Sequence, residues 1–112
     1  IENLFQERLL LREEGSGTRE VLERYLDSKN LGISDFGRVT EVGSLQAIKE
    51  LTKAGCGITF LYEAAVAGEL KRGELKRIPL QDFQISHEFA FIWRRGSIYA
   101  DRYRELFRRF AG

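Results

Sequence analysis

The chain has one cysteine, one proline, one histidine, one tryptophan and no methionine among 112 residues. A lone Cys56 cannot close an internal disulfide, so no cysteine framework staples this fold, and a single thiol fits a reducing compartment. A redox sensor would also need a depressed thiol pKa and a resolving cysteine, and the second is missing. Cys56 is therefore expected to pack as a small hydrophobe beside a sheet. His87 has neither metal-ligand spacing to other donors nor a nucleophile to serve, and reads as a solvated or capping residue. An excess of one sign of charge is absent too. Lys and Arg total 18 against 17 Asp and Glu, a formal charge of +1, so bulk electrostatics give no reason to expect nucleic acid or a membrane as a partner. No apolar run is long enough for a bilayer span, and no basic stretch leads an apolar one at the N-terminus. These absences imply a cytoplasmic location. The missing methionine implies a fragment of a longer protein. There is no low-complexity linker and no internal repeat.

What is present suits a packed core: 43% of residues are hydrophobic and 12% aromatic. Leu9, Leu10 and Leu11 form an apolar run, and Gly15, Ser16 and Gly17 follow it. Val21, Leu22, Tyr25 and Leu26 then recur at helical spacing, so the order is strand, glycine turn, helix over residues 18–27. A polar loop over 28–35 leads to a short strand at 38–42. Ser44 is a candidate N-cap for a second helix carrying Leu45, Ile48 and Leu51 on one face, and Gly55 suits its end. Residues 58–62 are a compact β-rich run. A third helix is expected at 63–71, stopped by Gly73. Strands follow at 75–80, ended by Pro79, and at 89–93. A last helix over 100–110 carries Tyr103, Leu106, Phe107 and Phe110.

Strands alternate with helices, and each gap accommodates a crossover. The expected fold is α/β, a parallel or mixed sheet with helices on both faces. Such sheets bind ligands beyond the carboxyl ends of their strands. Three places fall there: the turn of residues 15–18, the Gly43-Ser44 turn and the stretch around Tyr62. A helix N-terminus carries unpaired N–H donors and partial positive charge, so it attracts anions. In the first turn, Ser16 and Thr18 would donate hydroxyl hydrogen bonds and the N–H groups around Gly17 would face a carboxylate or similar anion. The competing reading is a plain helix cap with glycines supplying positive φ. Gly43 and Ser44 allow the same two readings. The Gly-Lys-Ser/Thr ending of a nucleotide-binding P-loop is absent. Arg12 either meets an anionic ligand or pairs with Glu13 or Glu14 at the surface. Glu13 and Glu14 are adjacent and point to opposite faces if extended, which argues against a cooperating acid pair. No triad or metal cluster is visible, so the chain reads as a binding module and not an enzyme.

Residues 9–19 (LLLREEGSGTR), 41–49 (EVGSLQAIK), 53–61 (KAGCGITFL) and 73–80 (GELKRIPL) stand in one order and at one spacing. In these motifs the chain resembles the effector-binding domain of LysR-type transcriptional regulators, over nearly its whole length. The branch it is most similar to includes activators of cysteine and sulfur metabolism. The resemblance implies a fold like a type 2 periplasmic binding protein, two α/β subdomains with a small-molecule effector in the cleft between them. Residues 1–112 would be the second subdomain with a returning strand and last helix. Most of the first subdomain and the N-terminal winged helix-turn-helix, through which DNA would be bound, would lie outside it. Arg12, Gly15, Ser16, Gly17, Thr18, Gly43 and Ser44 would face an effector, with an anion expected and no cofactor. The alternative is a transporter's solute-binding domain of the same fold. Cutting at the cleft should strip the strands at 9–11 and 89–93 of neighbours. Bare apolar edges self-pair, so a dimer or higher species is expected.

Overall fold

A computed structural model describes residues 1–80 and 88–94. His87 and the helix expected over 100–110 lie outside the described residues. In chain order the elements are β1 (Arg8–Leu11), α1 (Gly17–Ser28), β2 (Arg38–Glu41), α2 (Leu45–Lys53), β3 (Ile58–Tyr62), α3 (Ala67–Arg72), β4 (Leu75–Arg77) and β5 (Phe89–Arg94). The five strands form one mixed sheet in the order β2-β1-β3-β5-β4. β1 runs parallel to β2, with Leu11 opposite Glu41, and parallel to β3. β5 runs antiparallel to both of its neighbours, β3 and β4.

The period of two along each strand divides the core. Leu9 and Leu11 of β1, Ile58 and Phe60 of β3, and Phe89, Phe91 and Trp93 of β5 face one side. There they meet Leu22 and Leu26 of α1 and Ile1 and Leu4 of an N-terminal 3-10 turn. On the other side Leu61, Ala90 and Ile92 pack with Ile48 of α2, Val66 and Leu70. The phenyl rings of Phe60 and Phe89 stack with centroids 5.3 Å apart. Thr59 is buried among the apolar residues and its hydroxyl donates to the Leu10 carbonyl at 2.8 Å, tying β3 to β1. Gly57 makes this approach possible, because a Cβ there would stand 2.6 Å from the Arg8 carbonyl oxygen.

All three α-helices of the described residues end in a Schellman turn. In each, a left-handed residue follows the helix: Asn30 after α1, Gly55 after α2 and Gly73 after α3. The closing bonds run from Leu31 N–H to the Leu26 carbonyl, Cys56 N–H to Leu51 and Glu74 N–H to Glu69. Gly55 and Gly73 thus stop their helices as the sequence suggested, whereas Asn30 carries α1 on to Ser28.

Three expectations change. Cys56 is exposed and not packed against the sheet; it occupies the position after Gly55 in the Schellman turn, where the reversing chain turns its side chain outward. The segment after β3 is a 3-10 turn (Glu63–Val66) before the short α3, because no capping side chain starts a helix directly off the strand. The strands expected to be bare edges are interior: β1 lies between β2 and β3, and β5 between β3 and β4. Among the described residues the edges are β2 and β4, whose arginine, lysine and glutamate side chains are exposed and discourage edge-to-edge pairing. The stated reason for self-association does not apply to these strands.

Candidate functional site

β1, β2 and β3 are parallel, so their carboxyl ends share one edge of the sheet. From β1 the chain moves outward to β2, and from β3 it moves the other way towards β4. The carboxyl ends of such strands are where open α/β sheets place their ligands.

α1 leaves this edge after β1. Ser16 is its N-cap, in extended conformation, and its Oγ accepts from Arg19 N–H at 3.4 Å. Glu20 N–H reaches the Ser16 carbonyl, and Ser16 N–H closes the turn on the Glu13 carbonyl. Gly15 turns the chain with a φ of +89°. Gly17 is the exposed first residue of α1 and Thr18 sits half-buried beside it. The N–H groups of these two have no partner within the helix, as at any helix start. α2 repeats the design after β2: Ser44 is the N-cap, its Oγ accepting from Ala47 N–H at 3.2 Å. Ser16 and Ser44 are therefore caps, as the plain reading held. Each spends an acceptor lone pair in doing so and keeps its hydroxyl proton as a donor.

The two turns are fastened together by Arg19, which sequence reasoning did not single out. Its Nη1 donates to Glu41 Oε1 at 2.9 Å and to the Arg12 carbonyl at 3.0 Å. Glu14 and Glu23 lie within 3.7 and 3.6 Å of the same guanidinium, whose side chain is 12% exposed. A signal was present: an arginine in the first turn of a helix opposes the dipole, so it needs acidic partners. Arg12 pairs with Glu13 at 3.0 Å, as the surface reading had it. The other Glu13 oxygen lies 3.6 Å from where a Cβ on Gly43 would stand. All seven expected residues thus sit on two adjoining turns. Tyr62, the third expected place, ends β3 on the same edge, 43% exposed, its ring 4.1 Å from that of Phe89. Next to it, Glu63 and Arg77 form an ion pair at the mouth of an open cavity of about 460 Å³.

The arrangement gathers two helix starts, two serine side chains and Arg12, paired with Glu13, at one edge of the sheet. It shows no grouping of three or more metal-binding side chains among the described residues.

The model of the LysR substrate binding domain matches residues 1–111. The chain belongs to this family. It is 34% identical over 93 residues to the HTH-type transcriptional regulator CbbR of Rhizobium meliloti, a match covering 83% of this chain and 29% of that protein. It is 33% identical over 84 residues to the phosphonates import ATP-binding protein PhnC of Anaeromyxobacter dehalogenans, covering 74% of this chain and 17% of that protein. The CcmR regulatory domain of Synechocystis PCC6803, solved in complex with 2-PG, superposes with a TM-score of 0.64 at 27% identity. That match covers 95% of this chain and 51% of that one. The LysR-family chain therefore spans under a third of the CbbR protein. The family model and the CbbR match are those of the substrate-binding domain of transcriptional regulators. None of these names carries the cysteine and sulfur branch.

Proposed function

We propose that this LysR-type domain supplies one wall of a site for a small anionic metabolite, and that occupancy of the site sets how the intact regulator is arranged on DNA. The observation that carries this is the pair of serine-capped helix ends on one sheet edge, bound to each other through Arg19. The ligand complex of the CcmR domain supports small-molecule sensing by this architecture. In this reading the effector bridges these turns to a facing subdomain, and the angle between subdomains shifts between two populated arrangements. Contact with DNA through a separate winged helix-turn-helix domain, and assembly with further copies, belong to the same proposal.

A ligand that binds only the folded state stabilises it by RT ln(1 + [L]/Kd), so the melting temperature climbs with ligand concentration. A thermal-shift series with 2-PG, sulfate, phosphate and small carboxylates is expected to show a concentration-dependent rise that Thr18→Ala and Ser44→Ala each reduce. A flat response to every anion would contradict the proposal.

A further inference from the structure

Glu13 is placed where the two turns meet. Its backbone belongs to the first turn, since its carbonyl holds the Ser16 N–H at 3.2 Å. Its side chain takes no part in capping, because Ser16 and Ser44 perform that task. Instead the carboxylate extends along the edge of the sheet. One oxygen accepts from Arg12 Nε at 3.0 Å. The other approaches the second turn, 3.6 Å from the point where a side chain on Gly43 would begin. Gly43 is not among the glycines with a left-handed backbone, so the turn itself does not demand glycine there. What a bare Cα does at this point is let a carboxylate lie close to the start of α2.

A carboxylate so placed holds the partners that an incoming anion needs. It occupies the Arg12 guanidinium, and its negative charge stands against the helix end that would attract the ligand. On the reading given under Proposed function, we infer that Glu13 is a built-in competitor for the effector's anionic group. In the free domain it holds Arg12 and stands beside the α2 turn. On binding, Arg12 exchanges Glu13 for the effector, and Glu13 swings to solvent, for which its side-chain exposure of 39% leaves room. The competitor lowers the affinity of every anion by one common factor, so weakly held anions leave the site empty at concentrations where a tightly held one fills it.

The test is sulfate affinity of the 112-residue chain at low ionic strength, measured by titration of amide shifts, in the wild type and four variants. Glu13→Gln is expected to tighten sulfate binding about two- to fivefold, the scale of one charge contact near a surface. Glu13→Asp keeps the charge but draws it back by one methylene, and should give a smaller gain. Glu50→Gln, on the exposed side of α2 with Gln46 and Lys53 as its partners, controls for net charge and should change nothing. Ser44→Ala should weaken binding. An unchanged or weaker affinity in Glu13→Gln, or an equal gain in Glu50→Gln, would overturn the competitor role while leaving the anion site standing, provided Ser44→Ala still weakens binding. If sulfate binds none of these proteins, the anion site fails, and the role of Glu13 with it.

Discussion

Gly57 has no room for a methyl group. A Cβ there would press to 2.6 Å on the Arg8 carbonyl and to 3.2 Å on the Leu10 side chain, and a backbone atom within a parallel sheet cannot move aside alone. Gly57→Ala is expected to cost about 2–3 kcal/mol by overpacking. Urea denaturation measures this, and a midpoint equal to that of the wild type would contradict the close β1–β3 approach. Gly43 is the contrast: its added Cβ meets only the end of Glu13 at ordinary contact distance, so Gly43→Ala should leave stability nearly unchanged. The sequence does not distinguish these two glycines, because the clash at Gly57 comes from a strand many residues earlier. The bond from Arg19 to Glu41 was hidden for the same reason, although the placing of an arginine in a first helical turn was itself a signal. Ser16 and Ser44, by contrast, were legible as caps, since a cap depends on the three residues that follow it.

At the scale of elements, the helix ends carry both stability and charge, and one substitution separates the two. Aspartate caps a helix about as well as serine but brings a negative charge to the place where an anion would sit. Ser44→Asp is expected to hold the melting temperature near that of the wild type and to abolish the anion-induced shift. Ser44→Ala should cost about 1 kcal/mol from cap loss and weaken the shift only in part. If Ser44→Asp responded to anions like the wild type, Ser44 would be a cap and nothing more. Helices α2 and α3 are joined by Lys49 and Glu69, 3.4 Å apart and mostly buried. A bond from its own backbone N–H and the nearby Lys49 ammonium hold the Glu69 carboxyl below its ordinary value of 4.5, against the opposing effect of burial. A carboxyl depressed in the folded state stabilises it above the unfolded pKa, and that stabilisation is lost as pH falls through the lower folded value. Stability should therefore decline on acidification below about 4.5, and Glu69→Gln should flatten that decline. Denaturant midpoints between neutral and acid pH would show it; identical profiles would contradict it. The strands themselves were readable from short β-rich runs such as Ile58–Tyr62. Their order was not, because β5 enters between β3 and β4 through pairings that no local pattern specifies.

At the scale of the molecule, the alternation of strands and helices made the α/β fold legible, and the carboxyl edge of the parallel strands followed from it. The effector's chemistry was not legible, since two capped helix ends state a preference for negative charge and no more. The acids around the site (Glu13, Glu14, Glu23 and Glu41) outnumber Arg12 and Arg19, so at long range the local charge opposes that preference. Any selectivity must then arise at contact distance. The central claim is that the carboxyl edge of the sheet, at the starts of α1 and α2, is where this domain receives its ligand. The most direct measurement is a residue-resolved amide spectrum of the chain titrated with sulfate and with 2-PG. The expected result is saturable shifts concentrated at residues 15–19 and 43–47. Shifts gathered at the opposite end of the sheet, around residues 55–58 and 73–75, or no saturable shift at all, would contradict it.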